Sequence, residues 1–242
     1  MTITALLASY PRPRPPLSEA MQAVYVETYK ASREGKGILY ALTQYLESWM
    51  HRVIAKAHRS GDILEIGAGT LNHLPYEQGY AHYDIIEPFS ALFEDSPRRA
   101  QIRSIYGDIT QIQNQRYARI ISVATLEHIL DLPHCLARAG LLLTDDGLFQ
   151  AGIPSEGGFA WGATWRLSVG LSFRLRTGLD YGELMRHEHV NDADEIIQLV
   201  RYFFEKVRVK RFPLPHAHLS LYSYIEASKP RLDRCRAYLG QS

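Results

Sequence analysis

Residues 62–73 read Asp62-Ile63-Leu64-Glu65-Ile66-Gly67-Ala68-Gly69-Thr70-Leu71-Asn72-His73. Ile63, Leu64 and Ile66 predict a buried strand, Gly67-Ala68-Gly69 a sharp turn, and the residues beyond it the start of a helix. Glycine lets the backbone turn tightly and approach a ligand, and the amides that follow point at that ligand. A lone G-x-G also serves many turns that bind nothing. Two acids extend the pattern. His82–Pro88, H-Y-D-I-I-E-P, predicts a second strand ending on Glu87, eighteen residues after Gly69, where a carboxylate accepts hydrogen bonds from ribose hydroxyls. Ile102–Tyr106 predicts a third strand, followed by Gly107-Asp108-Ile109; here Asp108 can receive an exocyclic adenine amine and Ile109 can lie on the ring. Either acid alone reads equally as a helix cap or a solvated loop residue. Three such features at successive strand ends point to one pocket.

With E-I-G-A-G-T at 65–70, I-I-E-P at 85–88, G-D-I at 107–109 and T-L-E-H-I-L-D at 125–131, the chain resembles the class I S-adenosylmethionine-dependent methyltransferases. The resemblance implies that Glu65, Gly67 and Gly69 hold the methionine part of the cofactor, Glu87 the ribose and Asp108 with Ile109 the adenine. It also implies that Thr125, Leu126 and Glu127 line the pocket after the fourth strand. Asn72 stands where the family often has a third glycine, a departure that weakens a nicotinamide reading most, because a dinucleotide turn needs a small residue there.

The chain has 242 residues, with 27 Lys and Arg against 26 Asp and Glu. This balance gives no electrostatic reason to expect a nucleic-acid partner, and Ala124-Thr125-Leu126-Glu127 is not the motif that base methyltransferases carry after the fourth strand. Cys135 and Cys235 fit no C-x-x-C pattern and read as reduced thiols of a cytoplasmic protein. The sequence lacks a run of about 20 apolar residues, and its first residues lack the marks of a signal peptide.

Residues 1–17 contain P-R-P-R-P-P and predict a mobile tail, with a strap across the domain as the other reading. Residues 18–58 predict a helical cap: Ser18 can start one helix carrying Tyr25 and Tyr29, and a second runs from about Leu39 to Ala57. Residues 59–154 alternate strand and helix, with strands near 62–66, 82–87, 102–106, 118–124 and 147–153 and a helix from Leu132 to Leu143. Residues 155–191 read as an insertion, and 192–242 complete the sheet with a helix and two strands that the family arranges as a reversed hairpin. The expected fold is therefore α/β: a doubly wound, mostly parallel seven-stranded sheet with a reversed terminal hairpin, an N-terminal helical cap and a helical insertion after strand 5.

The insertion is where the family commonly builds its acceptor site. Trp165, Arg166, Arg174 and His187, with Tyr29 reaching over from the cap, are the expected substrate contacts; arginines among aromatics suit an anionic sugar or lipid intermediate. An amphipathic helix with solvated arginines explains the same residues. His187 with His189, and His216 with His218, have H-x-H spacing, but with no cysteine to join them a metal is not expected. A sulfonium methyl is already activated, so the protein has chiefly to align an acceptor and exclude water. His128 and then His189 are the expected bases for a hydroxyl acceptor. The favoured reading is a methyltransferase acting on a small-molecule or glycan- or lipid-pathway acceptor, at oxygen. A nicotinamide-dependent oxidoreductase and a non-catalytic scaffold that keeps the fold are the alternatives.

Overall fold

The computed structural model describes residues 1–24, 38–57 and 59–241. Seven strands, β1 (Ile63–Ile66), β2 (Tyr83–Ile86), β3 (Ile105–Tyr106), β4 (Tyr117–Val123), β5 (Leu143–Pro154), β6 (Phe204–Pro213) and β7 (Ser220–Pro230), form one sheet in the order β3-β2-β1-β4-β5-β7-β6. β1 to β5 pair in parallel, and β7 runs antiparallel to both β5 and β6. The expected sheet and its reversed hairpin are both present. Strand order reverses between β1 and β4, so a crevice is expected at the carboxyl ends of those two strands.

Alternation along the strands feeds two cores. Leu64, Ile66, Ile120, Phe149 and Ala151 meet the helices Leu132–Leu142 and Ala193–Phe203 on one face. Ile63, Tyr83, Ile85 and Ile121 meet Ile54 on the other. Ile54 belongs to the helix Ile38–Ala55, which therefore packs as a core layer. A Cβ on Gly152 of β5 would stand 2.7 Å from the Met50 Cβ, so glycine is what lets this helix lie directly on the strand. The helix Ala193–Phe203 starts with a capping box between Asp192 and Glu195.

The structure departs from the sequence reading in four places. β1 and β3 are each followed by one 3-10 turn, Leu74–Tyr76 and Ile109–Gln111, and β2 by two, Ser90–Leu92 and Arg99–Gln101, where α-helices were expected. Pro75 interrupts the segment after β1, and Pro88 and Pro97 the one after β2; the segment after β1 also buries His73 and Glu77 in place of an apolar stripe. Asp145 and Asp146, which fall between the expected helix ending at Leu143 and the expected strand 147–153, lie inside β5, where the β4–β5 register shifts and the polar residues face solvent. A further helix, Leu232–Tyr238, seats Cys235 beside Gly140.

The fourth correction concerns the N-terminus: residues 1–17 cross the domain as a strap. Leu6 is fully buried, the Tyr10 hydroxyl donates to Asn191 Oδ1 at 2.6 Å, and Arg12 grips the Glu195 carboxylate at 2.7 and 2.8 Å. Proline-rich sequence cannot build a helix interior, but it can hold an extended path whose polar groups are met from outside. Tyr25 and Tyr29 lie outside the described residues.

A buried polar layer lies between β4 and the helix Ile38–Ala55. Arg119 donates to both Glu77 oxygens, to Gln150 Oε1 and to the Ile54 carbonyl; Glu77 also contacts His73, whose Nδ1 meets His51 Nδ1 at 3.0 Å. Burial and the neighbouring His73 pull the His51 imidazole down to about 3. Burial pushes Glu77 up, but hydrogen bonds from His73 and Arg119 outweigh it and bring it down to about 2, whereas burial holds Glu65 up at about 7. As pH falls, the unfolded chain protonates His51 from 6.5 and Glu77 from 4.5 before the folded chain does, so both cost stability. Glu65 has the opposite sign between 4.5 and about 7 and offsets His51 there. The melting temperature is therefore expected to be nearly flat from about pH 5 to 6.5 and to fall steeply below about 4.5. Thermal circular dichroism across this range checks it, and a melting temperature unchanged at about pH 3 would remove the layer's titration as the cause.

Candidate functional site

The glycine turn is built by backbone conformations that only a few residues tolerate. Gly67, Gly69 and Leu71 have φ of +72°, +50° and +61°, and Ala124, at the end of β4 across the switch point, has φ +49°. Left-handed backbone at non-glycine residues costs on the order of 1–3 kcal/mol and concentrates at functional sites. The Thr125 side chain lies against the turn, and its Oγ1 donates to the Gly67 carbonyl at 3.3 Å. A Cβ on Gly67 would stand 2.2 Å from the Thr125 Cγ2, whereas a Cβ on Gly69 would meet nothing within 4 Å. Gly67 thus makes the turn close against Thr125, and Gly69 opens it on the other side.

Glu87 completes this edge. One carboxylate oxygen accepts from the Gly69 amide at 2.8 Å and the other from the Phe89 amide at 3.0 Å. Each oxygen keeps a lone pair for a further donor. Asp108 sits at the end of β3, where it caps the next turn by accepting from the Thr110 amide and hydroxyl at 2.8 and 2.6 Å. Asn72 is exposed beyond the turn. Three of the expected cofactor contacts lie elsewhere. Glu65 is buried on the side of the helix Ile38–Ala55, accepting the Tyr83 hydroxyl at 2.7 Å, and Ile109 and Leu126 are packed into the opposite core. Period-two alternation explains Glu65, because its side chain leaves the sheet on the face opposite Leu64 and Ile66.

On the other side of the β4 end lies a cluster of imidazoles and carboxylates. The His128 and His189 rings meet edge to face with centroids 4.6 Å apart. His189 Nδ1 bonds the Glu156 carboxylate, which also accepts from the Trp161 indole at 3.0 Å. His128 Nδ1 is 2.8 Å from the Glu188 carbonyl, so it donates there and its Nε2 is the acceptor when the ring is neutral. Burial lowers the His189 pKa, but the Glu156 carboxylate outweighs it and the net direction is up. Burial raises the pKa of Glu127, with His128 and His189 pulling the other way. Its Oε2 is buried with no hydrogen-bond partner among the described residues. Such an orphan costs about 1–3 kcal/mol, which a ligand donor or a bound proton relieves.

Beside this cluster is a cavity of about 340 Å³ walled by Glu156, Trp161, Trp165, Arg166, Met185 and His189. Among the expected substrate contacts, Trp165 and Arg166 line it. Arg174 is exposed on the helix Leu171–Thr177 and does not line the cavity, and His187 Nδ1 is tied to the Pro15 carbonyl at 2.6 Å. Tyr29 is outside the described residues. Glu156, Trp161 and Met185 were missed as wall residues; the position of Glu156 just past the fifth strand was the one available signal. Among the described residues, no three His, Cys, Asp or Glu side chains converge as metal ligands.

No family model and no curated protein matches the sequence. Solved structures do match the fold. A possible histamine N-methyltransferase from Thermotoga maritima aligns at 15% identity and TM-score 0.59 over 88% of this chain and all of its own. The N-methyltransferase NodS of Bradyrhizobium japonicum, bound to S-adenosylhomocysteine, aligns at 15% identity and TM-score 0.54 over 88% of this chain and all of its own. An S-adenosylmethionine-dependent methyltransferase from Clostridium acetobutylicum aligns at 11% identity and TM-score 0.54 over 86% of this chain and 98% of its own. At these identities the likeness is one of architecture, and the chain has the fold of the class I S-adenosylmethionine-dependent methyltransferases.

Proposed function

We propose that the protein is an S-adenosylmethionine-dependent methyltransferase of the cytoplasm, acting on a hydroxyl of a small molecule from a glycan or lipid pathway. The observation that carries this reading is the convergence at the switch point: Glu87 on the Gly69 amide, the open side of Gly69, and Thr125 closing the turn. These groups fit an adenosyl ligand whose ribose hydroxyls donate to Glu87 and whose adenine amine donates to Asp108. They fit a nicotinamide dinucleotide poorly, because a pyrophosphate needs a helix N-terminus and the turn leads only into the 3-10 segment Leu74–Tyr76. When bound, S-adenosylmethionine supplies a methyl group on a cationic sulfur.

The chain's own part is to orient the acceptor and receive its proton. The cavity beside His189 takes the acceptor body between Trp161 and Trp165, with Arg166 for an anionic group. His189 accepts the hydroxyl proton while Glu156 holds the ring and stabilises the imidazolium. His128, edge-on to His189, is the second base.

Calorimetric titration with S-adenosylmethionine, S-adenosylhomocysteine and NAD tests the cofactor: both adenosyl compounds should bind and NAD should not. Once an acceptor is found among anionic sugars and lipids, the rate should rise with pH through an apparent pKa above the ordinary 6.5 of histidine. Glu156→Gln should shift that pKa downward. NAD binding alone would favour an oxidoreductase, and adenosyl binding with no acceptor turnover a scaffold.

A further inference from the structure

The stretch from Phe159 to Leu179 contains three arginines and no Asp or Glu. It forms a nearly continuous helical run, Phe159–Trp165, a π-helical turn Arg166–Gly170, and Leu171–Thr177. In Leu171–Thr177, Phe173 points inward and is 3% exposed against Leu17, Met21 and Leu184. Leu171 and Leu175, four residues apart and on the opposite face, are 50% and 80% exposed. Phe159 and Leu167 are each 75% exposed and Val169 is 49% exposed on the same run. Arg166, Arg174 and Arg176 stand among them, also exposed. Large apolar side chains this far into water, concentrated within seventeen residues, mark an interaction surface.

The charge pattern selects the partner. A two-fold dimer through this face would bring its arginines against the same arginines with no acid between them. A nucleic acid would meet the arginines but leave the leucines and the phenylalanine without an apolar environment. An anionic bilayer surface satisfies both, taking the apolar side chains below the headgroups and the guanidinium groups among the phosphates. Trp165, in the same run with the Arg166 guanidinium 4.6 Å from its ring, has the amphipathic character of a headgroup-level residue. We propose that residues 159–177 form a peripheral membrane-docking face for anionic phospholipid, placing the cavity walled by Trp161 and Trp165 beside the lipid surface. Among the described residues no helix is long and apolar enough to cross a membrane, so the contact is one of lying on the surface.

Flotation of the full chain with phosphatidylcholine vesicles, with and without phosphatidylglycerol, tests this without any cofactor. Partitioning should favour the anionic vesicles by on the order of thirtyfold, as the two arginines outside the cavity, Arg174 and Arg176, imply, and should weaken as salt is raised. Leu167→Glu/Leu175→Glu, at exposed positions, should keep the wild-type melting temperature and lose this binding. The proposal is overturned if wild type does not float with anionic vesicles, or if the double variant floats as well as wild type. Self-association that the double variant abolishes, without vesicle binding, would assign the face to a second copy instead. Because the readout is partitioning, its failure is distinct from a failure to bind S-adenosylmethionine.

Discussion

Arg119→Met is expected to lower the melting temperature by about 6–20 °C, since breaking a buried pair by removing one partner costs about 3–5 kcal/mol and each kcal/mol shifts a domain of this size by about 2–4 °C. Arg119 is 1% exposed and its guanidinium is the only cation that reaches both oxygens of Glu77 among the described hydrogen bonds. Methionine fills much of the volume but leaves Glu77 buried with His73 alone. Gln150 Oε1 loses its donor in the same change. Arg119→Met/Glu77→Leu should recover part of the loss, because an apolar pair replaces the charges without leaving one behind. Thermal unfolding of the two variants decides the point. A single variant that melts within about 2 °C of wild type would show that the network contributes little and that the layer tolerates a lone carboxylate.

The second large effect falls on ligand binding. Glu87→Ala should weaken S-adenosylhomocysteine binding by at least about a hundredfold, because hydrogen bonds to a charged acceptor contribute about 1.5–3 kcal/mol each and the proposed site would lose its acceptor for two ribose donors. The carboxylate also holds the Gly69 amide at 2.8 Å, so the turn itself loosens. Gly67→Ala should be as damaging for a different reason: a Cβ there stands 2.2 Å from Thr125 at a φ of +72°. Overpacking of this kind costs about 1–3 kcal/mol and left-handed backbone about 1–2 more, which the site can relieve only by moving Thr125 out of place. Titrations of both variants, alongside Glu87→Gln as a control that keeps the shape and one acceptor, check this. Wild-type affinity in Glu87→Ala would refute the ribose role assigned to the carboxylate.

The strap adds a constraint that bears on the site without touching the cofactor side. Arg14 reaches the carbonyls of His187, Glu188 and His128, and the Arg12 amide donates to the Leu130 carbonyl at 2.8 Å. The N-terminal residues therefore fasten the segment after β4 to the segment that carries His189. The two segments so joined carry His128 and His189, whose rings meet edge to face. The Asn191 amide works to the same end, donating to the carbonyls of Leu126 and Ile129 at 2.9 and 2.8 Å.

The sequence by itself determined the strands, their parallel order through β5, the reversed hairpin and the glycine turn with Glu87 beyond it. The strands and the turn are written in short-range periodicity, since alternating apolar residues bury a strand and a G-x-G between strand and loop leaves few backbone alternatives, whereas the sheet order and the reversed hairpin were implied by the family resemblance. Tertiary structure alone decided the rest. Glu65, in the most telling motif, turned away from the pocket because the pleat puts it on the face opposite Leu64. The turns after β1 and β2 stayed short because prolines, and after β1 a buried His73–Glu77 pair, took the place of an apolar stripe. Glu156 met His189, Arg119 met Glu77 and Arg12 met Glu195 across separations of 33, 42 and 183 residues. Local patterning shows which residues seek burial, but the partner of a buried charge is fixed only when the layers pack and leave it one place to pair.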